Sequence, residues 1–299
     1  MSGQSIGSQS ALLLDSVAPI DGSSEPYYFL SENLVAQYDL IDDGEQAIRG
    51  TRSHPEERVS QGLVRVGGSI VMNPTPLELD NLLPRILGAA EVTDLFSVAE
   101  TLPSFLVAIN RIAKFHTYAG AKVNKAIFSG GSGKPLQLEL QILAQTETEG
   151  AAGSFPYVAE GNQTPYNFTQ GVITLGGATQ LFNQFVLIVD NHLSVEFNNS
   201  RTATDIVAAD RSVFLALSTP YTSTETTLFT TPVASAAGDS AATLVFTSGT
   251  KSLTFTFGNL KSFARTPSVR NKGQIRLPLR YKAYEIAGVD EIAVTNDPV

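Results

Sequence analysis

The chain has 299 residues, of which 42% are hydrophobic and 16% charged, and it contains no cysteine. This length can bury a substantial core, while the lack of thiols excludes disulfide bonds and thiolate metal sites. The formal net charge of −9 argues against a conventional nucleic-acid binder, which needs lysine and arginine to neutralise phosphates.

The first 44 residues are predicted to form an N-terminal arm and a first strand, and residues 45–299 a single β domain. The apolar stretch at 11–14 is too short for a signal peptide or a membrane span. We therefore expect a protein that is assembled in a cytoplasm and has no membrane partner.

One helix is predicted just after residue 75. Thr75 can cap it, Pro76 suits its first position, and Glu78 is placed to complete a capping box. Apolar residues follow at helical spacing until Gly88, where the helix should end. Pro84 lies inside this run and is expected to kink or shorten it.

Alternation of apolar and polar residues is the dominant pattern, and it predicts strands with one buried face. In residues 136–142 the apolar side chains occupy even positions, while Gln137, Glu139 and Gln141 occupy odd ones. Further strands are predicted at 63–72, 105–112, 118–128, 185–189, 193–197, 213–217, 242–246 and 253–257. The sequence is therefore typical of a mainly β protein.

The alternating segment 274–282 is the last predicted strand. Its polar face carries Arg276, Arg280 and Lys282. Pro278 has no N–H to donate to a neighbouring strand, so this strand is expected at a sheet edge or at a bulge.

Three segments are predicted as turns or loops. The glycine-rich residues 129–135 lie between two alternating strands and predict a hairpin turn. Residues at about 149–180 and 219–241 are rich in small polar residues and predict long loops. Loops of that length usually bind something, so in an assembling protein they would reach neighbouring copies.

Charge is unevenly distributed along the chain. Residues 1–48 hold eight acidic and no basic side chains, and residues 135–200 hold six acidic and no basic ones. Residues 261–282 hold seven basic and no acidic side chains. An acidic front and a basic tail could form a head-to-tail contact between copies; alternatively, these charges only solvate separate loops.

The sequence offers no catalytic or cofactor-binding constellation, so an enzyme is not predicted. The glycine-rich segment 130–134 is followed by Pro135, where a phosphate-binding loop needs Ser or Thr. His54, His116 and His192 are far apart and have no metal-ligand spacing. A hydrolase therefore remains a weaker alternative, and neither a metal nor a cofactor is expected.

Several segments, taken in order, resemble the tail tube proteins (major tail proteins) of tailed bacteriophages. They are residues 49–54, 66–70, the helix end at 87–88, residues 115–124 with the strand at 136–145, and residues 189–193, 199–206 and 274–284. The resemblance spans roughly residues 45–285. It implies two packed β-sheets in a sandwich-like or barrel-like arrangement, with one or two flanking helices and extended arms and loops.

The resemblance also implies a structural subunit of the virion tail. Its partners would be copies of itself, commonly in stacked hexameric rings, together with the tape measure, terminator and distal tail proteins. DNA would pass through the lumen without specific binding. Gln137, Glu139 and Gln141 are candidates for the lumen wall, although they could instead face outside solvent. Arg276, Arg280 and Lys282 are candidates for a subunit interface. A decoration or receptor-binding module is the alternative function.

Overall fold

A computed structural model gives the fold of most of the chain. The residues that it describes are 7–16, 19–43, 48, 50–151, 154–156, 158, 163–222, 239–263, 266–269 and 272–299. Over these residues the chain forms one α-helix and twenty β-strands, which confirms the mainly β prediction.

The helix is α1 (Pro76–Leu87). The strands are β1 (Ala11–Asp15), β2 (Glu25–Tyr27), β3 (Ser31–Glu32), β4 (Val35–Asp42), β5 (Val59–Met72), β6 (Leu95–Phe96), β7 (Phe105–Asn110), β8 (Lys114–Gly131), β9 (Gln137–Ala144), β10 (Thr146–Ala151), β11 (Gly171–Leu175), β12 (Ala178–Gln180), β13 (Gln184–Asp190), β14 (Ser194–Glu196), β15 (Asp205–Val207), β16 (Ser212–Pro220), β17 (Asp239–Ser248), β18 (Lys251–Ser262), β19 (Arg276–Tyr284) and β20 (Ala293–Asp297).

Eighteen strands join into one hydrogen-bonded sheet, and β14 and β15 form a separate antiparallel pair. The long strand β8 pairs with β7 and β10 through its first half and with β9 and β13 through its second half. One layer therefore runs in the order β4-β5-β9-β8-β13-β16-β19. Beyond β19 the sheet continues into β18, which also pairs with β17 and β20. Strand β17 in turn pairs with β11.

The sheet folds over itself, so that strands that share no hydrogen bonds pack face to face. Phe128 on β8 contacts Phe255 on β18, with ring centroids 5.1 Å apart. Phe185 on β13 contacts Phe246 on β17 at 5.6 Å. All four rings are buried. The expected packing of two sheets is thus achieved by one continuous sheet that turns at β19 and β18.

Helix α1 begins as predicted. The Thr75 hydroxyl accepts from the Glu78 N–H (3.3 Å), and the Glu78 carboxylate accepts from the Thr75 N–H (2.6 Å). The helix ends at Gly88, whose φ of 101° favours glycine. Pro84 does not shorten the helix, which continues past it to Leu87, while the alternative expectation of a kink at Pro84 stays a prediction. Burial of the apolar face of the helix offsets the energetic cost of the one backbone hydrogen bond that Pro84 cannot donate.

The N-terminal segment contains four strands where one was predicted. Strand β1 lies between β2 and β7, and its residues Leu12, Leu13 and Leu14 are fully buried. An apolar run of this length suits a strand that is covered on both faces, which alternation alone does not reveal. Residues 44–47, at the predicted boundary between arm and domain, lie outside the described residues.

The loop predictions differ from the structure. The segment at about 149–180 was expected to be one long loop, but it includes the end of β10 and all of β11 and β12. Strands β11 and β12 were not predicted because both are short and a Gly-Gly turn separates them. In the segment at about 219–241, Thr219 and Pro220 end β16 and β17 starts at Asp239, while residues 223–238 lie outside the described residues. The predicted hairpin at 129–135 is confirmed, because Ser129 of β8 pairs with Gln137 of β9.

Candidate functional site

The candidate lumen residues lie on the outer face of β9. Gln137, Glu139 and Gln141 are partly exposed and alternate with fully buried Leu138 and Leu140. The Gln141 amide donates to the Glu139 carboxylate at 3.2 Å. The face is therefore polar at β9, as the alternation predicted.

The candidate interface residues lie on the outer face of β19. Arg276 and Arg280 are exposed and Lys282 is half-buried, and they alternate with buried apolar residues. Strand β18 pairs with β19 only from Tyr281 to Tyr284 among the described residues. Pro278 therefore lies at an edge, which confirms that prediction.

The two sets of residues share one face of one layer, which their separation in sequence did not indicate. Directly paired residues of antiparallel strands point to the same side of a sheet. The pairs Glu139–Ile127, Ile127–Ile188, Ile188–Phe214 and Phe214–Lys282 form a continuous row across β9, β8, β13, β16 and β19. Four strand spacings of about 4.8 Å separate Glu139 from Lys282 by about 19 Å.

The middle of this face is apolar. Ile127, Val186, Ile188, Phe214 and Ala216 are half-buried there and point away from the core. An apolar centre with polar flanks is common where a protein binds another protein. We call the β5-β9 part of the face the polar half and the β8-β13-β16-β19 part the apolar half.

Arg280 and Lys282, which we call the basic pair, pack against aromatic rings. The Arg280 guanidinium lies 5.2 Å from the centroid of the Phe214 ring. The Lys282 ammonium lies 5.8 Å from Phe214 and 5.4 Å from Tyr284. No ion pair among the described residues involves the basic pair or Arg276. Stacking holds the two cations in place without a compensating carboxylate.

The acidic front of the sequence, in contrast, is largely compensated within the chain. Carboxylates of this segment pair with basic side chains that come later in the sequence. These pairs are Glu25–Arg85, Glu32–Arg111, Asp39–Arg65, Asp42–His54 and Asp43–Arg58. The expectation that the acidic front serves as the partner of the basic tail is therefore not supported for these residues. Of the seven basic residues in 261–282, Arg265 and Arg270 lie outside the described part.

Strand β4 is an edge with exposed apolar side chains. Its only backbone pairing among the described residues is with β5. Tyr38 is 64% exposed and Leu40 72% exposed, and Val35 and Ile41 are also exposed. An edge strand of this kind offers unpaired N–H and C=O groups and an apolar surface to another chain. Strand β4 was not among the predicted strands, although Ala36, Tyr38 and Leu40 alternate there with Gln37 and Asp39.

The histidines are separate from one another. His54 lies 3.2 Å from Asp42, His116 lies 3.0 Å from Glu147, and His192 contacts the backbone oxygen of Asp210 at 2.7 Å. Among the described residues no cluster of three or more histidines and carboxylates is arranged to hold a metal ion. Nor does that part of the chain contain a helix that is long and apolar enough to cross a membrane.

A family model described as phage tail tube protein matches residues 44–283. The matched region includes the face from β5 to β19, whereas β1 to β4 and β20 lie outside it. No curated protein matches the chain.

Proposed function

The chain belongs to the phage tail tube protein family, and from this premise we propose that it builds a tube by closing its sheet edges against those of neighbouring copies. The tube is the channel for DNA during ejection. The observation that carries the proposal is that, among the residues that the structure describes, the layer has an unpaired edge on both sides, at β4 and at the first half of β19.

Open edges at opposite ends of a layer suit head-to-tail addition. Within the described part of the chain, strand β4 leaves one edge unpaired, and β19 leaves the other unpaired from Arg276 to Leu279, because β18 pairs with it only from Tyr281 onward. Two different surfaces that join head to tail generate a ring when the rotation closes. Pairing of the edges also removes the aggregation hazard of unpaired strands. Hexameric rings that stack into a tube are the arrangement we propose.

The two halves of the outer face take different roles in such a ring. The polar half, with Gln137, Glu139 and Gln141, suits a wet lumen wall. A carboxylate there repels phosphate within a Debye length of about 8–10 Å, so DNA would pass without binding. The apolar half, which includes Val186 and Phe214, is better covered by a neighbouring copy than exposed to water.

The role is structural and non-enzymatic, and it needs no cofactor. The protein is a component of the virion tail, assembled in the host cytoplasm. Its other partners are the proteins at the two ends of the tube and within it, namely the terminator, distal tail and tape measure proteins.

Electron microscopy of the purified full-length protein tests the proposal. We expect hollow tubes or rings whose amount grows with protein concentration. A variant with Tyr38→Lys and Leu40→Lys should remain monomeric, because charges on β4 prevent edge pairing. Discrete particles at every concentration would instead support a decoration or receptor-binding module.

A further inference from the structure

The small sheet of β14 and β15 presents two carboxylates side by side. Glu196 and Asp205 are directly opposite each other in the register of this sheet, and both are exposed. Ser194 and Val207 form the neighbouring pair and are also exposed. We call Glu196 and Asp205 the acidic pair.

Like charges directly opposite each other destabilise a two-stranded sheet. The acidic pair has only local contacts among the described residues: the Ser194 hydroxyl donates to Glu196 (3.4 Å), and the Ile206 N–H donates to Asp205 (2.7 Å). No ion pair in the described part of the chain involves either carboxylate. A cation from outside the chain would relieve this repulsion.

The acidic pair is held on a rigid support. Ile206 is fully buried, and its backbone oxygen accepts from the Lys122 ammonium at 2.7 Å. The Thr204 N–H donates to the backbone oxygen of Glu196 at 2.8 Å. Little ordering is therefore needed when a partner binds, which lowers the entropic cost of association.

The acidic pair matches the basic pair in charge and spacing. Arg280 and Lys282 are two residues apart on one face of β19, or about 7 Å. Glu196 and Asp205 are opposite each other, with Cβ atoms about 5 Å apart. Each surface presents two charges without a counterion in the described chain. The acidic pair lies on β14 and β15, and the basic pair lies on β19.

We propose that the acidic pair of one copy docks on the basic pair of the next copy. This inference rests on the proposed tube function and names an electrostatic contact between subunits. A second copy satisfies both surfaces at once, whereas DNA would satisfy only the basic pair and would be repelled by the acidic one. Docking at Arg280 and Lys282 also places the neighbour over the apolar half, next to Phe214.

A charge-swap experiment tests the contact. R280E/K282E and E196K/D205K should each raise the protein concentration needed for tube assembly about tenfold or more. The four-fold variant R280E/K282E/E196K/D205K should return it to near the parent value. K134E/K251E, which makes the same charge change in the 129–135 turn and at the first residue of β18, is the matched control and should assemble like the parent.

A milder variant separates docking from folding. E196Q/D205N removes the repulsion, so the monomer's Tm should stay the same or rise while assembly weakens. The assembly of the parent should also weaken more with added salt than that of this variant.

The outcomes distinguish the two proposals. Three outcomes would each overturn the docking contact while leaving the tube function intact. They are unchanged assembly of both double reversals, failure of the four-fold variant to recover, and weaker assembly of E196Q/D205N together with a lower Tm. Absence of any tube from the parent protein would overturn the tube function itself.

Discussion

Asn296, on the last strand, binds Asp80 in helix α1. The buried Asn296 amide donates both to the Asp80 carboxylate and to the backbone oxygen of Pro76, the latter at 2.8 Å. The contact ties β20 to the first turn of α1, although the two residues are 216 positions apart in the chain. It lies at a junction that involves β20, which is outside the region matched by the family model.

Asn296→Ala should lower the free energy of unfolding by about 2–3 kcal/mol, because it leaves the Pro76 oxygen without its donor and opens a small cavity. Urea denaturation of the monomer measures this loss. Asn198 is exposed and contacts Thr204, so Asn198→Ala should cost less than about 1 kcal/mol. Equal losses for the two variants would contradict the role of Asn296.

Asp80 should make stability depend on pH. Burial raises the pKa of Asp80 from 3.8 to about 6, the Asn296 hydrogen bond opposes this shift, and nearby carboxylates reinforce it. Between about pH 4 and pH 6 the folded state keeps a proton that the unfolded state has released. The contribution of Asp80 to stability therefore falls as pH rises through this window.

Asp80→Asn cannot ionise and should escape this loss. The Tm of the variant minus the Tm of the parent should become more positive from about pH 4 to about pH 7. Differential scanning calorimetry across this range provides the measurement. A difference in Tm that stays constant with pH would show that the Asp80 carboxyl is not perturbed by burial.

Arg85→Met should destabilise the fold strongly. The Arg85 side chain is only 7% exposed, and it donates to Glu25 (2.8 Å) and Tyr27 (3.2 Å) and lies 5.5 Å from the centroid of the Phe105 ring. Because Glu25 is 32% exposed and keeps part of its hydration, removing Arg85 should cost about 2–3 kcal/mol. Arg58, whose pair with Asp43 is exposed, is the control, and Arg58→Met should cost about 0–1 kcal/mol. Chemical denaturation would rule against this account if both losses were similar.

Gly68→Ala should also destabilise, because a Cβ at this position of β5 would collide with backbone. It would lie 2.6 Å from the Cα of Leu34 and would also clash with the Asn33 carbonyl. Overpacking of this kind costs about 1–3 kcal/mol. At Gly131, on β8, the nearest atom would be 3.8 Å away, so Gly131→Ala should be nearly neutral in thermal melts. A neutral Gly68→Ala would show that the segment at 33–34 can move aside.

Local patterns predicted much of this fold. Strand β9 and its outward residue Glu139 followed from strict alternation, and the start of α1 followed from the Thr75 and Glu78 pattern. These features depend on neighbours within a few residues, which the sequence displays directly. Strand β1 was missed because it is covered on both faces, which gives an apolar run without alternation. Strand β4 alternates over residues 36–40 but was not predicted, and its pairing as an edge strand became visible only in the structure.

The sequence by itself determined the strand-rich class, the family resemblance, and which side of β9 and of β19 is polar. Only the tertiary structure decided that Glu139 and Lys282 share one face, because strand order and register depend on pairing between distant segments. It also decided which charges are already compensated. Glu32 binds Arg111 across 79 positions, while Arg280 lies over the Phe214 ring and has no ion pair among the residues that the structure describes. A one-dimensional count of charges cannot separate these two cases.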